Sequence, residues 1–237
     1  IGPVAAISPF NFPLNLSAHK IAPAFAVGCP VVLKPASKTP LSCLLLSEII
    51  DETDWPKGGF SCLPCTREAG QQMVEDDRFK LLSFTGSPDV GWKMKHDAGK
   101  KKVVLELGGN AGLIIDRDID DWDHVINRSA IGAFYQCGQV CISVQHIYCH
   151  EEVYDEFKER FVKKTASLIV GDPLDEKTDV GPIIDDKNRQ RIQDWIAEAV
   201  SSGASLIEGG TVDGTAIRPA ILESVDPTTK IAQEEAF

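Results

Sequence analysis

The sequence predicts an α/β protein in which an open parallel sheet of Rossmann type is followed by a second α/β unit. In the first half of the chain, short apolar strands alternate with helical stretches, a pattern typical of βαβ units with helices on both faces of the sheet. Turns that carry polar residues or glycine follow four of these strands. A glycine pair, Gly108-Gly109, then separates this half from a new strand and a long helix.

The first predicted unit, residues 1–109, contains five strands and four helices. The strands are recognised by their β-branched and apolar residues, and the helices by apolar periodicity, with Pro40 at one helix start. Predicted strands cover residues 3–8, 31–34, 60–63, 80–84 and 103–107, and predicted helices cover 14–27, 41–54, 67–75 and 86–98.

The second predicted unit, residues 110–237, starts with a strand and a long helix and ends in strands and loops. The turn Gly138-Gln139-Val140-Cys141 lies between the long helix and a strand that runs to Tyr148. The predicted elements are a strand at 112–115, helices at 119–135, 152–168 and 186–202, a loop at 171–182, and strands with loops over 205–237.

Composition excludes several classes of protein. The net charge of -11 argues against binding to nucleic acid or to anionic membranes, and no apolar run is long enough to span a bilayer. The seven cysteines are irregularly spaced, and Cys62-x-x-Cys65 has no second pair and apolar flanks, so we expect neither a zinc site nor a redox dithiol there. A reducing, cytoplasmic location fits this pattern.

Both ends of the sequence resemble the interior of a protein. Residues 1–10 read like the start of a buried strand, with neither an initiator Met nor a signal peptide, and residues 233–237 carry no signal that closes a domain. We therefore expect the chain to be the middle part of a larger protein, apparently truncated at both ends.

Four strand ends offer chemistry at one edge of the predicted sheet, where such sheets bind ligands. They carry Asn11, Lys34, the pair Gly86-Ser87 before a helix, and Glu106. Gly86-Ser87 could approach a phosphate but is a common turn and not a G-x-G-x-x-G fingerprint. Lys34 is either held at the rim of the sheet or solvated at the surface. Glu106 is a paired carboxylate, a solvated edge residue or a general base with a raised pKa.

Cys141 is a candidate nucleophile because it follows the flexible Gly138-Gln139 turn, where a substrate could approach closely. The alternative is a small buried apolar residue, the commoner role of a single cysteine. Cys137 and Cys149 compete for the catalytic role on composition alone.

Taken together, these segments resemble the aldehyde dehydrogenase superfamily, in the order and near the spacing of its motifs. The resemblance runs from the first residue to the last. The residues that carry it are Pro9-Phe10-Asn11-Phe12-Pro13, Leu33-Lys34-Pro35-Ala36, Phe84-Thr85-Gly86-Ser87, Leu105-Glu106-Leu107-Gly108-Gly109-Asn110, Gly138-Gln139-Val140-Cys141 and Glu234-Glu235-Ala236-Phe237.

The resemblance implies that residues 1–109 belong to an NAD(P)-binding domain and residues 110–237 to a catalytic thiol domain. It implies that Cys141 attacks the aldehyde, that Asn11 and the Cys141 main-chain N–H hold the oxyanion, and that Glu106 activates the water that hydrolyses the thioester. The family also implies a small aldehyde substrate and a homodimer or homotetramer.

The same resemblance assigns cofactor contacts. Lys34 and Glu235 would hold ribose hydroxyls, Phe237 would pack near the nicotinamide ribose, and Gly86 and Ser87 would lie by the pyrophosphate. Many NAD-preferring members have a glutamate where this chain has Ser37, and a serine removes its repulsion of a 2′-phosphate. The expectation is therefore NAD or NADP with a preference for NADP.

Other departures from the family leave alternatives open. Lys38 could attract the 2′-phosphate or point to solvent, and Arg67, in a segment that replaces a glycine-rich turn, could reach it. His146 stands where many members have an arginine. A CoA-acylating enzyme and an inactive structural or binding homologue remain alternatives, although Glu106 in the base position favours hydrolysis.

Overall fold

The first 108 residues form a five-stranded, entirely parallel sheet in the order β3-β2-β1-β4-β5, as the alternation of strands and helices predicts. The computed structural model describes residues 1–237. The strands are β1 (Val4–Ile7), β2 (Val31–Lys34), β3 (Phe60–Cys62), β4 (Leu81–Gly86) and β5 (Lys102–Leu107), and the helices are α1 (Asn15–Ala26), α2 (Leu41–Asp51), α3 (Arg67–Glu75) and α4 (Pro88–Asp97).

Helices cover both faces of this sheet because successive strand residues point to opposite sides. Val4 and Ala6 of β1 pack with residues of α1 and α2, whereas Ala5 and Ile7 pack with residues of α3. All four residues of β1 are buried, which agrees with its central place in the sheet. The predicted α/β fold with an open parallel sheet is confirmed.

The second unit, Gly109–Phe237, contains three separate two-stranded sheets and four helices. The β6–β7 pair is parallel, and the β8–β11 and β9–β10 pairs are antiparallel. The elements are β6 (Ala111–Ile115), α5 (Trp122–Phe134), β7 (Val144–Cys149), α6 (Tyr154–Ala166), α7 (Asp186–Ser201), β8 (Ser205–Glu208), β9 (Val212–Asp213), β10 (Ala216–Ile217), β11 (Ile221–Glu223) and α8 (Lys230–Gln233).

Most predicted boundaries lie within three residues of the observed ones. Helix α8 was not predicted, because it lies in a region predicted to be strand and loop. It has four residues and is too short to show apolar periodicity. The chain divides between Gly108 and Gly109, beside the predicted joint, while the functions of the two units remain predictions. No helix combines the length and apolar character needed to cross a membrane.

Candidate active site

Four candidate residues lie in or just after the carboxyl ends of strands that meet at one edge of the parallel sheet. Ile7 pairs with both Lys34 and Phe84, and Thr85 pairs with Glu106, so the chain leaves all four strands on the same side. The strand order reverses between β1 and β4, the place where open α/β sheets bind ligands. Asn11 follows β1 and Gly86 ends β4, so these two lie at the reversal point.

Asn11 is buried, with 8% of its surface exposed. The loop around it is fixed by neighbouring hydrogen bonds. The Thr39 hydroxyl donates to the Phe10 carbonyl at 3.2 Å, and the Leu16 N–H donates to the Phe12 carbonyl at 2.9 Å. These bonds fix the main chain on either side of Asn11 before a ligand arrives, which suits the preorganisation that an oxyanion donor needs.

Lys34 is also buried, with 8% exposure, so the surface alternative for this residue is wrong. Its stem runs beside Gly70 of α3, where a Cβ would lie 2.9 Å from the Lys34 Cδ. The ammonium has one hydrogen bond, a long one of 3.5 Å to the Pro35 carbonyl. Because an ammonium has three donors, Lys34 retains capacity for acceptors on a ligand.

The Gly86-Ser87 turn leads directly into α4. A Cβ on Gly86 would lie 2.6 Å from Cζ of Phe84, so a side chain would not fit here. Ser87 occupies the cap position without a capping bond from its side chain, and Pro88 at the first helical position has no N–H. The free N–H groups and hydroxyl favour an anion, although the Asp89 carboxylate in the first turn opposes one.

Glu106 lies on the edge strand β5 and is exposed. Its in-register partner Thr85 accepts a 2.6 Å hydrogen bond from the Lys20 ammonium, which also donates to Ser83 at 3.3 Å. Burial lowers the pKa of Lys20 to about 8, while the Glu106 charge acts in the opposite direction. The carboxylate therefore shares its face of the sheet with a buried ammonium.

In the second unit, Cys141 lies in a turn with unusual backbone geometry. Gln136, Cys137 and Gly138 have φ values of 51°, 60° and 73°, three consecutive residues in the left-handed region. The Ser143 N–H closes the turn on the Val140 carbonyl at 2.9 Å. Cys141 is partly exposed and its main-chain N–H has no acceptor in the protein. The fully buried alternative for this thiol is therefore wrong.

The segment that contains Glu235 and Phe237 is held by hydrogen bonds to its main chain. The Ala236 N–H donates to the Gln145 side chain at 3.1 Å, and Arg191 donates to the carbonyls of Glu235 and Phe237. Gln145 lies in β7, four residues after Cys141. The structure thus connects this segment to the strand that follows the thiol.

Glu235 is half-buried, and burial raises the pKa of its carboxyl group. The carboxylate accepts a hydrogen bond from the Gly109 main chain, and its Oε1 is buried with no partner. A buried oxygen without a donor is unfavourable, so this position calls for a donor such as a ligand hydroxyl.

Residues 1–237 match the family model described as the aldehyde dehydrogenase family. The chain belongs to the aldehyde dehydrogenase family. The sequence is 42% identical over 238 residues to the 3-sulfolactaldehyde dehydrogenase of Priestia aryabhattai, a match that spans 100% of this chain and 50% of that enzyme. The chain spans about half the length of the curated relatives it matches.

Solved aldehyde dehydrogenases share the fold. Aldehyde dehydrogenase 21 from Physcomitrella patens, in complex with the reaction product succinate, superposes with a TM-score of 0.95 at 50% identity, over 99% of this chain and 49% of that one. Glyceraldehyde-3-phosphate dehydrogenase from Methanocaldococcus jannaschii, complexed with NADP, superposes with a TM-score of 0.95 at 42% identity. This match covers 99% of this chain and 52% of that one.

Sequence reasoning missed Lys20, which the structure places beside Thr85. The signal was present but weak. Ser17, Lys20, Ile21 and Ala24 recur at helical spacing on α1, so a lysine occupies its otherwise small or apolar buried face. A buried lysine needs polar partners, and these come from β4, which lies far away in the sequence.

Proposed function

We propose that the protein oxidises an aldehyde to a carboxylic acid with NAD(P)+ and that Cys141 is the nucleophile. The observation that carries this proposal is that Cys141 is partly exposed and that its main-chain N–H has no acceptor in the protein. Membership of the aldehyde dehydrogenase family supports the reaction class.

In the first step, the Cys141 thiolate forms a C–S bond with the aldehyde carbon, and the carbonyl electron pair moves to oxygen. The Cys141 N–H donates to the resulting oxyanion, and the Asn11 amide is the second donor. Each donor of this kind is worth about 3 kcal/mol in comparable sites. Burial of Asn11 and its rigid loop support that role, because donors in place before the reaction need not reorganise.

The residues present fit a dinucleotide. The unpartnered Oε1 of Glu235 suits a ribose hydroxyl, and the buried Lys34 ammonium has donors to spare. Phe237 would pack near the nicotinamide ribose, and Gly86 and Ser87 would hold the pyrophosphate. When bound, NAD(P)+ would supply the hydride acceptor for the carbon attached to Cys141, whose oxidation gives a thioester.

Hydrolysis then returns the enzyme to its starting state. Glu106 takes a proton from water, the water oxygen attacks the thioester carbon, and the C–S bond breaks to release the acid and Cys141. The exposure of Glu106 supports this role, since a base that activates water needs access to it. Lys20 acts as a positioning residue, because its ammonium donates a hydrogen bond to Thr85, the in-register neighbour of Glu106.

NADP is the preferred cofactor in this proposal. Ser37 is exposed after β2 and carries no charge to repel a 2′-phosphate. Lys38 is also exposed in this loop and adds positive charge. The related glyceraldehyde-3-phosphate dehydrogenase with bound NADP agrees with this preference.

The proposed substrates are small aldehydes that carry a hydroxyl or an acidic group. Relatives of the chain are named for aldehydes of this kind: 3-sulfolactaldehyde, lactaldehyde and glutarate semialdehyde. The test follows NAD(P)H absorbance with lactaldehyde, succinic semialdehyde and propanal, for each cofactor, in the natural protein and in Cys141→Ala. Cofactor reduction that disappears in the variant supports the proposal. Reduction that requires added CoA indicates the acylating alternative, and no reduction with any aldehyde indicates an inactive homologue. Light scattering tests the proposed homodimer or homotetramer.

A further inference from the structure

We propose that Gln139 is a positioning residue for Cys141, because its side chain ties the turn that carries the thiol to the segment that begins helix α7. The inference rests on the proposed function, in which Cys141 is the nucleophile. It extends that function to a residue of the same turn that has no part in the proposed chemistry. It follows from the burial of the turn, from its backbone geometry and from one long-range hydrogen bond.

Buried residues lie on both sides of the accessible part of the turn. Gln139, Val140 and Ser143 are 5%, 7% and 3% exposed. Cys141, by contrast, is partly exposed, and Ile142 is 79% exposed. The side chains of Gln139 and Ser143 need hydrogen bonds in the interior, because burial of a polar group without a partner is unfavourable. The partners of these two side chains therefore decide where the exposed residues between them lie.

The turn is held from two directions. The Gln139 side-chain Oε1 accepts a 3.1 Å hydrogen bond from the main-chain N–H of Ile184. Ile184 directly precedes Asp185, the cap residue of α7. On the other side, the Ser143 hydroxyl donates to the carbonyl oxygen of Ala133 in α5 at 3.1 Å. The Gln139 side chain thus ties the turn to the start of α7.

The backbone before Gln139 needs an anchor of this kind. Gln136 and Cys137 have positive φ values of 51° and 60°, in the left-handed region that is unfavourable for residues with a Cβ. Such a conformation persists only where the surrounding structure imposes it. The 3.0 Å hydrogen bond from the Gln139 N–H to the Gln136 carbonyl lies within the turn and gives the turn no fixed place in the protein. The bond between Gln139 and Ile184 does, because Ile184 lies 45 positions later in the chain.

Helix α7 also holds the segment of the proposed cofactor residues. At the helix start, the Asp185 carboxylate accepts from the Asn188 main-chain N–H at 2.9 Å and from the Asn188 amide at 2.8 Å, which fixes the segment that Gln139 contacts. Farther along the same helix, Arg191 donates to the carbonyl oxygens of Glu235 and Phe237. One helix therefore sets the position of both the nucleophile turn and the cofactor segment.

This arrangement links Gln139 to the rate of the proposed reaction. The hydride leaves the carbon bound to Cys141, so its transfer depends on where the turn holds that carbon relative to the cofactor. A displacement of about 1 Å can lower a rate about a hundredfold. The Cys141 N–H, the proposed oxyanion donor, belongs to the same turn and would be displaced with the thiol. We therefore expect Gln139 to act on kcat and not on cofactor binding.

The experiment measures kcat and the KM for NADP with the aldehyde that the natural protein oxidises fastest. Gln139→Met keeps the shape of the side chain and removes the acceptor, so kcat should fall at least about tenfold while the KM for NADP stays unchanged. Gln139→Glu retains an acceptor for the Ile184 N–H and should recover most of the lost rate. Alkylation of Cys141 by iodoacetamide needs only an accessible thiolate and should keep its natural rate in Gln139→Met. The control Gln190→Met removes an exposed glutamine hydrogen bond on α7 and should change neither kcat nor KM.

Urea unfolding gives the folded fraction of each variant, so that every rate refers to folded protein. A natural kcat in folded Gln139→Met would overturn the inference, since Gln139 would then contribute to stability alone. Equal losses of kcat in Gln139→Met and Gln139→Glu, or slower alkylation of Cys141 in Gln139→Met, would also overturn it. Gln139→Asn draws the acceptor away from Ile184, should show the same fall in kcat, and replaces Gln139→Met if that variant does not fold. If the natural protein reduces no cofactor with any aldehyde, the proposed function fails together with this inference.

Discussion

The Lys20 ammonium donates a 2.6 Å hydrogen bond to the Thr85 hydroxyl, between helix α1 and strand β4. Lys20 is only 6% exposed, and burial lowers its pKa from 10.5 to about 8. The charge of Glu106, the in-register neighbour of Thr85, partly offsets that shift. A cation is therefore retained in the interior, on the face of the sheet that carries the proposed base.

The lowered pKa of Lys20 predicts a pH-dependent stability. Between pH 8 and 10.5 the folded chain releases this proton before the unfolded chain does, so the free energy of unfolding rises with pH. The gain is at most about 3 kcal/mol. Lys20→Met should lack this rise, whereas the exposed control Lys100→Met should retain it, as measured by urea unfolding at pH 7.5, 9 and 10.5. The same slope in Lys20→Met and the natural protein would contradict the prediction.

Sequence reasoning reached the strands and helices of the first unit because their signals are local. β-Branched runs and helical periodicity predicted the alternation, and the parallel sheet follows from that alternation. The placement of Lys20 beside Thr85 depends on strand order and on which helix covers which face, and neither is encoded in a local pattern. The burial of Lys34 likewise depends on Gly70, 36 positions later in the chain.

The assignments that depend on resemblance have a different basis. The local sequence leaves the chemistry of Glu106 and Cys141 open, and the structure decides only how exposed each side chain is. It places Glu106 on an exposed edge strand and Cys141 in a partly exposed turn. Their catalytic roles remain predictions, and the following experiments test them with the cofactor residues.

The Cys141 thiol should be both essential and the most reactive cysteine of its region. Burial raises the pKa values of Cys137 and Cys149, which lowers their thiolate fraction near pH 7. Iodoacetamide should therefore label Cys141 first, as peptide mass spectrometry would show. Cys141→Ala should reduce aldehyde oxidation by at least about a thousandfold, because no other group replaces the nucleophile. Cys149→Ala is the matched control, and a similar loss in both variants would indicate a structural effect.

Glu235 should make cofactor binding dependent on pH. Burial raises its pKa above the ordinary value of 4.5, and the ionised form is the stronger acceptor for a ribose hydroxyl. Cofactor affinity should therefore increase as pH rises through that pKa. Glu235→Gln should weaken binding about three- to tenfold at pH 7.5 and abolish this increase. Fluorescence titration with NADPH between pH 5 and 8 measures both effects.

The exposed neighbour Glu234 supplies the control for that titration, since Glu234→Gln changes the same charge without removing the buried carboxylate. The contribution of Glu235 to the free energy of unfolding changes with pH in the opposite direction to its contribution to cofactor binding. Because the folded chain favours the protonated carboxyl, the stabilisation is present below pH 4.5 and is lost as pH rises through the raised pKa. An unchanged pH profile for binding in Glu235→Gln would show that another group controls it.

Arg191 should be needed to hold the segment that presents Glu235. Its guanidinium lies 4.6 Å from the centre of the Trp195 ring and donates to the Glu235 carbonyl at 3.4 Å. Half-burial lowers the pKa of Arg191, and the charges of Glu234 and Glu235 oppose that shift. Arg191→Ala should lower the free energy of unfolding by about 2 kcal/mol, because it removes a cation–π contact and hydrogen bonds to two carbonyls.

The same variant should raise the KM for NADP more than it lowers kcat, since Arg191 acts on cofactor binding through the main chain of Glu235. Arg189→Ala is the matched control on α7. Arg189 pairs with the exposed Asp186 at 3.0 Å, and a surface ion pair of this kind contributes less than about 1 kcal/mol. Urea unfolding and initial rates at varied NADP distinguish the two arginines. Equal effects at both positions would mean that α7 needs positive charge in general, whereas a loss confined to Arg191 would establish it as the residue that positions Glu235.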